Sequence, residues 1–208
     1  MNPIKISKRI KKPRLKPLEL ASQIPSSEEF KEMILNMRRK RFETRREYQW
    51  QLLACLMYLT GARVSEVLDL NKSSFTLDER NDPEGKYVIV SIKTLKQEEI
   101  RYRNVLINRN HDSWALELIQ SFFDKYPGDK LFSMYGDDSR LISRNFAWKE
   151  IKDRTGYRNH FFRHGRATNC ERELGMDSGD LMVMFGWKTP YMTSIYVHRD
   201  WLRLIGKV

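Results

Sequence analysis

Between Phe75 and Ile107 the hydrophobic pattern of this 208-residue chain changes from a helical period to a period of two, and the helical period prevails on either side. Residues three or four apart share a helix face, whereas alternate residues share a sheet face, so the change fixes where strands can lie. Phe75 and Leu77 mark one short strand; Tyr87 to Ile92 is a β-branched run, and Val105 to Ile107 is another. Asn81-Asp82-Pro83-Glu84-Gly85 is a turn cluster between the first two. Lys93-Thr94-Leu95-Lys96-Gln97-Glu98-Glu99 reads as the tip of a hairpin with frayed strand ends. The expected class is α+β and mostly helical, with a small three-stranded antiparallel sheet.

Before the sheet, Pro25-Ser26-Ser27-Glu28-Glu29 reads as a helix start, with Ser26 or Ser27 as cap and acids in the first turn. That helix is expected to reach about Arg41. A second runs from about Thr44 to Leu59 with Trp50, Leu53 and Met57 on an apolar stripe. Gly61 interrupts it, and a short helix resumes over Arg63 to Leu70. After the sheet, Trp114, Leu118 and Phe122 repeat every four residues. Ser143 caps a helix running through Phe146, Trp148 and Ile151. Helices are expected over His160 to Leu174 and Asp177 to Phe185, and a last one holding Tyr196 and ending near Leu204.

Lys plus Arg number 38 against 27 Asp plus Glu, a formal charge of +11. Net charge says nothing of fold, but it favours a polyanionic partner. No run approaches the roughly 18 apolar residues of a membrane span, and the first residues lack the apolar run of a secretory signal. Nucleic acid is therefore the expected partner, without a membrane, in an intracellular, cytoplasmic and DNA-associated setting. Cys55 and Cys170 are expected to be reduced thiols. The four histidines make no zinc spacing with them, so neither metal nor cofactor is expected.

Residues 1–17 carry Lys5, Lys8, Arg9, Lys11, Lys12, Arg14 and Lys16, three prolines and no acid. Such a segment cannot build a core. It is either a solvated tail or an arm that neutralises DNA phosphates. The expected division is a basic arm over residues 1–20 and one domain over 21–208.

Three separated blocks carry the chemistry. They are Thr60-Gly61-Ala62-Arg63-Val64-Ser65-Glu66, His160-Phe161-Phe162-Arg163-His164, and Gly186-Trp187 with Tyr196-Val197-His198. Together they offer two guanidinium groups, an imidazole, an indole N–H and a phenol, the groups needed to grip a phosphodiester and attack it through a tyrosine oxygen. Guanidinium forks pair with two phosphate oxygens and stay charged at any working pH, so two of them can stabilise a pentavalent transition state. A phenol, with an ordinary pKa near 10, needs a base or a cationic field to react at neutral pH.

These blocks resemble the catalytic domain of the tyrosine recombinases, the phage-integrase family, over roughly residues 25–200. The first block with Leu70 is similar to the family's first arginine motif, the second with Ala167-Thr168 to its second, and Phe185-Gly186-Trp187 with Thr193 and Tyr196-Val197-His198 to its nucleophile segment. The resemblance implies a site-specific recombinase or integrase that cleaves and rejoins DNA through a transient 3′-phosphotyrosine, within a homotetramer assembled on double-stranded DNA. It implies Arg63 and Arg163 as the phosphate clamp and Tyr196 as nucleophile, with Tyr191 as the competing tyrosine. His160 is the implied general base, and Lys93 the acid for the departing 5′ oxygen, with Lys96 as the alternative. Trp187, where many members have histidine, donates a hydrogen bond but cannot exchange protons. His164 is a packing or a catalytic residue, and Glu66 orients Arg63 or caps its helix.

The family also lays the helix opening at Ser143-Arg144-Asn145 into the major groove, where Arg144 and Asn145 can read base edges and Lys149 follows one turn on. Basic residues at 38–41 and 45–46 are candidate phosphate contacts, as are Lys11, Lys12 and Arg14 of the arm. Typical members carry a separate N-terminal helical domain, so the chain is either a single-domain member or a fragment. Trp201, Leu202 and Leu204 either dock on a neighbouring protomer or pack in the core. A type IB topoisomerase and a catalytically silent DNA-binding regulator are the alternative functions.

Overall fold

A computed structural model describes residues 24–37, 45–77, 80–94, 101–134, 137–194 and 196. The basic arm of residues 1–20, the cations at 38–41 and the last expected helical turns after Tyr196 lie outside them. The elements run α1 (Ser27–Leu35), α2 (Arg45–Thr60), α3 (Val64–Leu68), β1 (Phe75–Thr76), β2 (Tyr87–Thr94), β3 (Arg101–Asn108), α4 (Ser113–Lys125), β4 (Ser133–Met134), β5 (Asp137–Leu141), α5 (Arg144–Thr155), α6 (Asn159–Leu174) and α7 (Ser178–Phe185). Two single-turn 3₁₀ segments, Lys72–Ser74 and Pro190–Met192, complete them. None of the described helices is long and apolar enough to cross a membrane.

Helix α1 starts at a capping box in which Ser26 and Glu29 satisfy each other's backbone N–H groups. It stops at Leu35 rather than near Arg41 because its last carbonyls are taken up elsewhere. Gln51 Nε2 donates to the Ile34 and Leu35 carbonyls, each at 3.0 Å, which closes the helix end. Helix α2 departs from the expected stripe: from Gln49 to Thr60 every residue is buried, on all sides. A helix apolar all round is the centre of a core, not its wall. Helices α1, α4, α5 and α6 and strand β3 all pack against it.

In helix α4 the core takes Ala115, Ile119 and Phe122, leaving Trp114 and Leu118 half-buried at its flank. Helix α5 begins after Ser143, whose hydroxyl accepts from the Phe146 N–H at 3.3 Å, and ends at Gly156 in the left-handed region. Within α5, Ile151 is buried and Trp148 remains 42% exposed.

The sheet has the expected antiparallel order β1-β2-β3. Strands β2 and β3 are each eight residues long, with Ile92 opposite Arg103 and Lys93 opposite Tyr102. Directly opposed residues point to the same side of a sheet. Val90, Ile92, Val105 and Ile107 are buried on the core side, so Arg103 shares that side and Lys93 takes the other. The β4–β5 pair is an element the periodicity did not disclose. Its strand Asp137–Leu141 has no apolar alternation, and its register shifts between Ser133 and Met134.

Candidate active site

Helix α2 ends at Thr60 because Gly61 takes a positive φ of 57°. A Cβ there would overlap the Phe185 ring, so this glycine lets the ends of α2 and α7 meet. The turn places Arg63 at the N-cap of α3. Glu66, 2% exposed, then serves both earlier readings. Its Oε2 accepts from the Arg63 backbone N–H at 2.8 Å, capping the helix, and its Oε1 accepts from Arg63 Nη1 at 2.9 Å, orienting the guanidinium. A third of the Arg63 side chain stays open to solvent.

Arg163 comes from the first turns of α6 and is buried beneath the same junction. Its Nη1 donates to the Gly61 carbonyl and its Nη2 to the Phe185 carbonyl at 2.9 Å. The guanidinium lies 5.2 Å from the Phe185 ring centre and 5.5 Å from that of Trp187. Burial, then the neighbouring Arg103 and Arg63, hold its pKa down to about 10, against partial support from Glu66 and Tyr196. It remains cationic at neutral pH.

Arg103 is a third guanidinium at this point, and the sequence reading missed it. Its Nη1 donates to the Met184 carbonyl and, at 3.3 Å, to the Thr60 carbonyl; its Nη2 stands 4.0 Å from Glu66 Oε2. Burial lowers its pKa to about 10, with Glu66 opposing the shift and Arg63 adding to it. The signal was present in the sequence: residue 103 keeps the inward phase of Val105 and Ile107, and a cation at an inward strand position demands a partner.

The sequence reading placed Tyr196 on a helix; it lies instead in a turn after the Pro190–Met192 segment, its N–H bonded to the Thr193 carbonyl at 2.8 Å. The side chain is buried, at 4% exposure. Its ring stacks on Trp187 with centres 5.3 Å apart and planes within 6°, and Trp187 stacks in turn on Phe185 at 4.8 Å. Its hydroxyl meets Nδ1 of His164. Burial pushes the phenol up to about 12, with Arg163 pulling the other way. Burial, then His160 and Arg163, lower the pKa of His164. Tyr191, the competing tyrosine, is 76% exposed one turn earlier.

Arg63, Arg163, Trp187 and Tyr196 are thus brought together, and His164 and Arg103 join them. His160 is exposed in the first turn of α6, its ring centre 6.5 Å from that of His164. Lys93 is half-buried on β2 and lines a cavity of about 300 Å³ with Glu66, Asp69, Asn71, Ser91 and Tyr102. It therefore shares that cavity with the carboxylate that holds Arg63, from the sheet side opposite Arg103. Lys96 lies outside the described residues, as do Lys11, Lys12, Arg14 and His198. Arg144, Asn145 and Lys149 are all exposed at the start of α5, so an approaching ligand can reach them.

The arrangement presents a half-open guanidinium, two buried guanidiniums behind it, and a phenol beside a neutral imidazole. Chemically it suits an anion whose phosphorus or carbon accepts a tyrosine oxygen while the cations take up the charge that develops.

The model of the phage integrase family matches residues 26–202 of the chain. Among solved structures, the chain is similar to the XerH site-specific recombinase bound to difH substrate in a pre-cleavage complex. The two are 21% identical, with a TM-score of 0.61 over 94% of this chain and 52% of that one. The XerA recombinase is 18% identical, with a TM-score of 0.61 over 94% and 65%. The Tn1549 transposon integrase in complex with transposon right end DNA is 14% identical, with a TM-score of 0.57 over 95% and 66%. The chain therefore spans between half and two thirds of the length of these structures. No curated protein matches it in sequence.

Proposed function

The chain belongs to the phage integrase family, and on that premise we propose that it is a site-specific recombinase or integrase that cleaves and rejoins DNA through a 3′-phosphotyrosine. The observation that carries the reading is the meeting of Arg63, Arg163, Trp187 and Tyr196 around the junction of α2, α6 and α7. Arg63 offers its open guanidinium face to one phosphate oxygen. Arg163, with two of its N–H groups committed to carbonyls, has its remaining donors for another. Trp187 donates through its indole N–H. Tyr196 Oη attacks phosphorus, and the 5′ oxygen leaves with a proton from Lys93, while His160 serves the proton traffic at the opened face of the site. The link conserves the energy of the broken bond, so the step reverses when a 5′ hydroxyl attacks.

The exposed start of α5 suits duplex recognition: Arg144 and Asn145 read guanine and adenine edges, and Lys149 holds a phosphate. Lys11, Lys12 and Arg14 add phosphate contacts as an arm before the domain of residues 21–208. The XerH structure is bound to difH substrate and the Tn1549 structure to transposon right end DNA, which supports DNA as the partner; the proposed working assembly is a homotetramer on double-stranded DNA.

The test is covalent capture. The protein is incubated with a pool of duplexes of randomised sequence, each nicked so that a short 5′-hydroxyl fragment diffuses away after cleavage. A protein–DNA adduct that survives denaturation in the wild type and is absent from Tyr196→Phe supports the reading. Adducts with no sequence preference, together with relaxation of any supercoiled plasmid, would indicate a topoisomerase. Binding with no adduct would indicate a silent regulator.

A further inference from the structure

The geometry points to His164, rather than His160, as the base that takes the phenolic proton of Tyr196. This inference deepens the proposed reaction and rests on it. The described part of the site holds one group touching the reacting oxygen: Tyr196 Oη meets Nδ1 of His164. The imidazole is held four residues beyond His160 on the same helix, next to Arg163, so its place is fixed by the same turn that supplies Arg163. The Tyr196 ring is fixed on its other side by the stack on Trp187. Two rings locked by packing thus present one oxygen to one nitrogen.

The charge balance favours transfer in this direction. The groups facing His164 are His160 and Arg163 from its own helix and Tyr196 from the segment after α7. Burial and the first two keep the ring neutral, below the ordinary 6.5. A neutral ring with its proton on Nε2 leaves Nδ1 bare to accept. Burial makes the phenol hard to ionise in isolation, so it reacts only if its proton leaves as the Oη–P bond forms. In that step Oη–P forms, P–O5′ breaks, the phenolic proton passes to Nδ1, and O5′ takes its proton from a separate acid. The resulting imidazolium returns its proton to Oη when a 5′ hydroxyl displaces the tyrosine. His160, exposed one turn earlier, is left to act on groups at the solvent face.

Two measurements test this. In the free protein labelled with ¹⁵N-histidine, His164 Nδ1 is expected to give the shift of a bare, hydrogen-bonded nitrogen at pH 7.5, and to lose the bonded component in Tyr196→Phe. A protonated Nδ1 at that pH overturns the inference whether or not the protein cuts DNA. In single-turnover cleavage of a nicked duplex recovered from the randomised pool, His164→Gln is expected to slow adduct formation by about 100-fold or more. The wild-type rate is expected to fall on acidification as His164 protonates; this fall is expected to vanish in His164→Gln and to persist in a slower His160→Gln. Added imidazole is expected to restore part of the rate to His164→Ala, which a packing role does not allow. If the wild type forms adducts and His164→Gln matches it in rate and pH profile, with circular dichroism showing both folded, the base lies elsewhere. If the wild type forms none on any duplex, it is the proposed reaction that fails, and the nitrogen shift alone decides the inference.

Discussion

Glu66 holds Arg63 twice, by the guanidinium at 2.9 Å and by the backbone N–H at 2.8 Å. One buried carboxylate therefore sets both where α3 begins and where the Arg63 guanidinium points. Glu66→Ala removes both, and also strips Arg103 of its nearest anion. The expected loss of stability is about 2–3 kcal/mol, below the roughly 3–5 kcal/mol of a pair buried on both sides, because Arg63 is partly solvated. Urea unfolding measures it. A change under 1 kcal/mol would mean that the two arginines find other partners.

Arg63→Lys keeps the charge but loses the fork. Strand cleavage is expected to fall by about 10²–10³-fold, the range seen when one preorganised donor to a developing oxyanion is removed. The urea midpoint is expected to move little, since Arg63 is partly exposed. Single-turnover capture and unfolding on the same preparation separate the two effects; wild-type cleavage would count against the clamp.

Gly165 faces the Phe30 ring, and a Cβ there would overlap it. Phe30 cannot retreat, being stacked on Tyr58 at 4.4 Å and packed against Phe161 at 5.3 Å. Alanine in a helix ordinarily gains about 1 kcal/mol over glycine. Here Gly165→Ala is expected to destabilise, because overpacking costs about 1–3 kcal/mol and exceeds the propensity gain. A rise in Tm would refute the close approach of α1 to α6.

Alkaline pH offers a check on the seating of Tyr196. Its phenol titrates near 12 in the fold against an ordinary 10. A folded pKa above the unfolded one contributes stability that is complete below pH 10 and disappears as the pH climbs through 12. The wild-type urea midpoint is therefore expected to fall more steeply than that of Tyr196→Phe between these values. Parallel curves would mean that the phenol is solvated.

For the exposed face of α5, Lys149→Ala is expected to weaken binding to all duplexes alike and to reduce the slope of log K against log salt by about 0.9. Arg144→Ala is expected to relax preference at one base pair by about 1–3 kcal/mol. Fluorescence anisotropy at several salt concentrations distinguishes them.

Much of this architecture was legible before any coordinates. The caps at Ser26 and Ser143 act through local geometry that a few residues specify. The change of period at Phe75 located the sheet, and side chains from the three motif blocks, Arg163, Trp187 and Tyr196 among them, lie at one junction. What escaped depends on contacts between distant segments. The inward phase of Arg103 was visible, but its partners were not, since Thr60 and Met184 reach it from distant segments. The partner of His164 was open for the same reason, since Tyr196 reaches it from beyond α7. Helix α2 shows a stripe of Trp50, Leu53 and Met57 in the sequence, and nothing there tells that the two glutamines beside it, Gln49 and Gln51, have partners inside the core. Both are buried, their Nε2 groups bonded to carbonyls of Ser133, Ile34 and Leu35.

The two carbonyl bonds of Arg163 have an evolutionary corollary. This side chain fastens the end of α2 to the end of α7 whether or not a strand is ever cut. A descendant that abandoned the reaction but went on using the scaffold would be free to drift at position 196, where a stacked ring and one hydroxyl contact to His164 have to be replaced. It would still be held to arginine at 163. In such lineages a retained arginine records the need to fold, and the tyrosine alone records whether the chemistry survives.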